Sequence, residues 1–110
     1  MAGWKSIALG GDQFGTAYLM LVNQDGTLWG IGANSRANLG DGTTVNKNSL
    51  IQIGTATDWR FVAAGDSATA AVKADGTLWT WGSTEWGRLG DPSQFLPHRV
   101  GNASEWILKP

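Results

Sequence analysis

At 110 residues, with sixteen glycines, seven tryptophans, no cysteine and a net charge of −1, the chain has room for one domain. Its lysines and arginines are scattered singly, so no face can neutralise a run of phosphates, and nucleic acid is excluded from the expected partners. The absence of cysteine excludes disulfides and thiolate metal sites and fits a reducing compartment.

The chain opens without a charged lead before a long apolar core, so no export signal is expected. The expected location is the cytoplasm, or a particle assembled there, and the initiating Met is read as a natural start. Asn102-Ala103-Ser104 is a formal glycosylation sequon with meaning only for a secreted chain. A first strand is predicted near 4–9, beginning at Trp4. A second is predicted over 17–23, where Ala17 to Val22 forms the longest apolar run, far too short to span a bilayer. Asp25-Gly26 then marks a hairpin turn, read here as one with positive φ at both central residues, and the chain returns over 27–31. After an irregular stretch a last strand is predicted at 51–53. The plan then repeats, with strands at 59–64 and from Thr69 to Lys73, an Asp75-Gly76 turn, and a return from Thr77 to Trp81. An irregular segment from Gly82 to Pro97 leads to a short strand near Arg99-Val100. Thr, Val, Ile and Trp beside Gly-rich turns favour strands throughout.

The repetition is explicit in the residues. Asp25-Gly26-Thr27-Leu28-Trp29 recurs as Asp75-Gly76-Thr77-Leu78-Trp79, and Leu39-Gly40-Asp41 recurs as Leu89-Gly90-Asp91. Ile53-Gly54 matches Val100-Gly101, each followed five residues later by Trp59 or Trp106. Trp4, Trp59 and Trp106 are spaced 55 and 47 residues apart, the difference falling in loop-like stretches. The reading is a single all-β domain of two four-stranded antiparallel propeller blades, about 4–58 and 59–105, with 106–110 starting a third unit.

The stretch Ala63-Ala64-Gly65…Ala71-Val72-Lys73-Ala74-Asp75-Gly76-Thr77-Leu78-Trp79-Thr80-Trp81-Gly82…Gly87-Arg88-Leu89-Gly90-Asp91 resembles a bacterial-type repeat of the regulator of chromosome condensation (RCC1) family. The resemblance covers nearly the whole chain and is stronger in the second unit. In the first, Ile31 stands where the second has Trp81, and Ala37 where it has Gly87. It implies blades of a β-propeller, seven-bladed in that family. Family repeats often carry a His before the inner strand, which neither Gly65-Asp66-Ser67-Ala68 nor Gly11-Asp12-Gln13-Phe14 has. The founding member exchanges nucleotide on a small GTPase and docks on chromatin. No residue here matches a motif for either activity, and fold alone does not carry function.

Chemistry is sparse. Asp25, Asp41, Asp75 and Asp91 read as turn residues rather than calcium ligands, because no dense run of alternating oxygen donors surrounds them. His98, the single histidine, lies in Leu96-Pro97-His98-Arg99 and reads as structural. Gly30-Ile31-Gly32-Ala33-Asn34-Ser35 lacks the Lys-Ser/Thr of a phosphate loop. No catalytic residue, cofactor, metal, membrane contact or small-molecule ligand is expected. Most tryptophans occupy repeat positions and read as packing between blades. Trp86, whose counterpart is Arg36, stands outside the repeat pattern, and Trp4 and Trp106 start units. These three are the candidate partner or assembly contacts.

Repeat proteins generally need three or more units or polar caps. Two uncapped blades are therefore expected to be completed by other chains: copies of the same chain closing a ring head to tail, or a different protein subunit. The expected function is a non-catalytic structural and protein-interaction module, for instance a virion component. The alternatives are a regulatory module acting on a small GTPase and a carbohydrate-binding lectin.

Overall fold

A computed structural model of the chain describes residues 3–11, 17–66, 68–82 and 97–99. Every regular element among them is a strand: β1 (Trp4–Gly10), β2 (Tyr18–Asn23), β3 (Leu28–Gly32), β4 (Lys47–Gln52), β5 (Trp59–Ala64), β6 (Ala68–Lys73), β7 (Leu78–Gly82) and β8 (His98–Arg99). They form two four-stranded sheets in the orders β1-β2-β3-β4 and β5-β6-β7-β8, with each neighbouring pair antiparallel. The all-β, two-blade expectation therefore holds, and no helix among the described residues is long and apolar enough to cross a membrane.

The two blades share their internal geometry. In the first, Ile7, Leu21 and Trp29 align across three strands, and in the second Val62, Ala71 and Trp79 do so. The first two strands of each blade carry a register irregularity at the same place, between Trp4 and Ser6 and between Trp59 and Phe61.

The central hairpin turns differ from the expected type. The Gly26 N–H donates to Asn23 O (2.9 Å) and the Asn23 N–H to Thr27 O (2.9 Å), with Gly26 at φ 85°. Gly76, Lys73 and Thr77 repeat this arrangement, with Gly76 also at φ 85°. Each is a three-residue loop, a type I turn followed by a left-handed glycine, so only the glycine has positive φ. The physical reason is a side-chain relay. The Asp25 carboxylate accepts the Thr27 N–H (3.1 Å) and hydroxyl, while Thr27 Oγ1 accepts the Trp29 indole N–H (2.8 Å). Asp75, Thr77 and Trp79 form the same chain of bonds. The recurrent Asp-Gly-Thr-Leu-Trp string is thus one hydrogen-bonded unit closing each hairpin.

The fourth strand also departs from expectation. Predicted over 51–53, it runs over Lys47–Gln52. Lys47-Asn48-Ser49 has little strand propensity, but Lys47 pairs with Gly32 across the sheet and its ammonium lies 2.7 Å from Asp41. An edge strand tolerates such polar residues because one side faces solvent.

A single core joins the two blades. Tyr18, Met20, Val22, Leu28, Leu39 and Ile53 of the first unit pack with Trp59, Val62, Ala71 and Trp81 of the second.

Candidate interaction surfaces

Side chains alternate across a pleated sheet, so the strand registers sort each blade into two faces. On the first blade, Ser6, Ala8, Met20, Val22 and Leu28 point toward the second blade. On the second, Val62, Ala64, Thr69, Ala71, Trp79 and Trp81 point back. The junction is a head-to-tail contact in which the two units present different faces.

Polar groups stitch this inner junction. Tyr18 Oη donates to Ala68 O (2.8 Å), the Gly11 N–H to Gly65 O (2.8 Å) and the Val62 N–H to Ser6 Oγ (3.2 Å). Asn38 O accepts both the Trp81 indole N–H (2.8 Å) and the Thr69 hydroxyl (2.7 Å). Burial pushes the Tyr18 phenol above its ordinary pKa against the opposing effect of its hydrogen bond with Thr69.

The loop after β3 supplies the seat for Trp81. Asn34 anchors it: its side-chain amide donates to Asp41, Thr43 O and Val45 O, and its Oδ1 accepts the Leu39 N–H (2.9 Å). Ala37 has φ 59°, the one described non-glycine in the left-handed region, at the position occupied by Gly87 in the second unit. Gly40 has φ 83°, and a Cβ there would lie 2.7 Å from Trp81 Nε1, so the close approach requires glycine. Burial raises the Asp41 pKa, but hydrogen bonds from Lys47, from the Thr43 side chain and N–H, and from Asn34 outweigh it and hold the carboxyl below its usual range.

The other face of each blade carries exposed apolar side chains among the described residues. The outer face of the first blade carries Ile7, Leu9, Leu19, Leu21 and Ile31, with Ile7 59% and Leu9 70% exposed. The outer face of the second carries Phe61, Ala63, Ala70, Val72 and Leu78 together with the buried Thr80, and Phe61 is 41% exposed. Neither outer face was singled out from the sequence. Strands that are apolar on both sides give no sign of which side is covered; the only hint was the pair of isolated bulky residues in β1.

Of the three predicted contact tryptophans, Trp4 is half-buried and packs edge-on against Trp29, with ring centroids 6.5 Å apart. Trp86 and Trp106 lie outside the described residues. In the second blade the counterpart pair, Trp59 and Trp79, is 6.0 Å apart, and the Lys73 ammonium sits over both rings at 5.0 and 4.3 Å. Asn23 takes the place of Lys73 in the first blade. Asp25, Asp41 and Asp75 all serve turns or loop anchoring, Asp91 is outside the described residues, and His98 lies in β8 opposite Thr80. Among the described residues no group of three or more His, Cys, Asp or Glu side chains is placed to hold a metal ion.

Residues 59–85 match the family model for the regulator of chromosome condensation (RCC1) repeat. No curated protein matches the sequence of the chain. Among solved structures the chain is similar to human WBSCR16, with a TM-score of 0.76 at 20% identity over 91% of this chain and 26% of that one. It is also similar to Prp20p from Saccharomyces cerevisiae, described with its binding to Gsp1p and histones, with a TM-score of 0.72 at 21% identity over 92% of this chain and 26% of that one. A second yeast structure of that protein, bound to Kap60, matches with the same TM-score and identity over 92% of this chain and 25% of that one. The chain thus spans about a quarter of the length of these structures. Residues 59–85 are thus similar to an RCC1 repeat, and the two units together have the fold of the propeller blades in these structures.

Proposed function

We propose that the chain is a non-catalytic protein-interaction module that associates through its blade faces, with copies of itself as the principal partner. The observation that carries this reading is the outer face of the first blade, where Ile7 and Leu9 stand 59% and 70% exposed beside Leu19 and Ile31 on one side of the sheet. Covering a bulky aliphatic side chain stabilises by roughly 1.5–3 kcal/mol. A marginally stable domain of about 5–15 kcal/mol therefore gains a large fraction of its stability when such a face is covered. The yeast relative of similar fold is described as binding proteins, Gsp1p and histones, which supports protein as the class of partner.

The test is native mass spectrometry of the purified chain at micromolar concentration. Discrete multimers are expected. A folded chain that remains a monodisperse monomer overturns the reading.

A further inference from the structure

We infer that Trp4 and Trp29, at the turn end of the first blade's outer face, form a seat for a lysine side chain of a protein partner. This rests on the reading that the blade faces are used for association, and it adds the chemistry that a partner presents at one point of that face.

The second blade supplies the template, because it fills the same seat from its own sequence. There Trp59 and Trp79 meet edge to face at 6.0 Å and 78°, and the Lys73 ammonium lies 5.0 and 4.3 Å from the two ring centroids. The Asp58 carboxylate stands 3.7 Å from the same ammonium. The faces of aromatic rings are negative, so a cation placed over them is attracted.

The first blade builds the same pair of rings without the cation. Trp4 and Trp29 meet at 6.5 Å and 75°, and Asp25 and Thr27 hold the Trp29 indole as Asp75 and Thr77 hold that of Trp79. The backbone around the seat is matched as well. The Gln24 N–H donates to Gly3 O (3.1 Å) as the Ala74 N–H donates to Asp58 O (2.7 Å). Gly3 thus stands in the place of Asp58, and Asn23 in the place of Lys73.

Both members of the ion pair are therefore missing from the first blade. Asn23 does not replace the ammonium: its side chain is neutral and shorter, and its Oδ1 accepts the neighbouring Gln24 N–H (2.8 Å). Where the Asp58 side chain has its counterpart, a Cβ on Gly3 would meet nothing within 4 Å. Trp4 and Trp29 are both half-buried, whereas Trp59 is only 4% exposed. A lysine reproduces the group that this geometry already holds in the second blade. A carboxylate would meet the negative faces of the rings, and a neutral aliphatic chain would gain only apolar contact.

Titration with Nα-acetyl-lysine N-methylamide tests the seat, followed by NMR of the indole N–H groups at a protein concentration below the association range. Saturable shifts are expected at Trp4 and Trp29. The neutral analogue Nα-acetyl-norleucine N-methylamide is expected to bind about fivefold more weakly. Asn23→Lys supplies the missing cation from within, and the turn accepts it because Asn23 and Lys73 make the same two backbone hydrogen bonds. This variant is expected to keep its circular dichroism and to lose lysine binding. If it does not fold, Trp4→Leu takes its place, with the same loss expected. Equal binding of the two analogues, shifts confined to other indoles, or undiminished binding by the folded variant overturns the seat and leaves association untouched. A chain that binds lysine here and remains a monomer keeps the seat and removes self-association.

Discussion

Asp41 shows how a single side chain in this fold links sequence to stability. It accepts bonds from the Thr43 N–H and hydroxyl and from Asn34 Nδ2, and it pairs with Lys47 at 2.7 Å, so it ties the loop after β3 to the edge strand β4. Its folded-state pKa is lowered, burial being outweighed by these bonds. A carboxyl with a depressed folded pKa stabilises the protein above its unfolded value, near pH 4, and that stability is lost as pH falls through the folded value. Asp41→Asn should therefore lower the urea midpoint at pH 7 by the equivalent of about 1 kcal/mol, the scale of a partly buried, hydrogen-bonded ion pair. The difference from the unsubstituted chain should close as pH drops well below 4. A gap that persists at low pH would assign the effect to packing rather than charge. Asp25 has the same sign of shift, caused first by the Thr27 hydroxyl, and belongs to the turn relay.

Between elements, Trp81 ties the second blade to the first. The residue is fully buried, packs edge-on to Trp59 with centroids 6.0 Å apart, and donates to Asn38 O in the loop of the preceding unit. Ile31, its counterpart, lies on an uncovered face and is only half-buried. Swapping the two residues between units should thus be asymmetric. Trp81→Ile leaves a cavity and removes a buried hydrogen bond, and should cost about 3 kcal/mol by urea unfolding. At a protein concentration below the association range, Ile31→Trp should shift the midpoint by no more than about 0.5 kcal/mol, as expected away from the core. Equal losses from both at that concentration would mean that Ile31 contributes to the core of the single chain as Trp81 does.

For the whole molecule, the consequence of an exposed apolar face is linkage between folding and concentration. Anything that binds the folded state and not the unfolded one raises apparent stability by mass action. The melting temperature should therefore rise as protein concentration is raised across the association range, and the rise should be absent for Leu9→Glu, which sets a carboxylate in the outer face of the first blade. A melting temperature independent of concentration for the unsubstituted chain would show that covering the faces contributes nothing to folding.

The repeat, the strand positions and the hairpins were legible in the sequence because each rests on local chemistry. Glycine punctuation and alternating strand residues mark where strands begin and end. The Asp-Gly-Thr-Leu-Trp string located both turns but not their type, which follows from the bonds that Asp25 and Thr27 make once the hairpin has closed. The polar edge strand at Lys47 was missed because its support comes from Gly32 and Asp41, distant in sequence or set in a loop. Among the described residues the exposed bulky apolar side chains are Ile7, Leu9, Val45, Leu50 and Phe61, which the repeat pattern does not mark. Tyr18 to Val22 is apolar at every position, so alternation cannot say which side of β2 faces the other blade. Composition and repetition determined that this chain is built of blades. Only the stacking of one sheet on the other decided which faces are covered and which remain open.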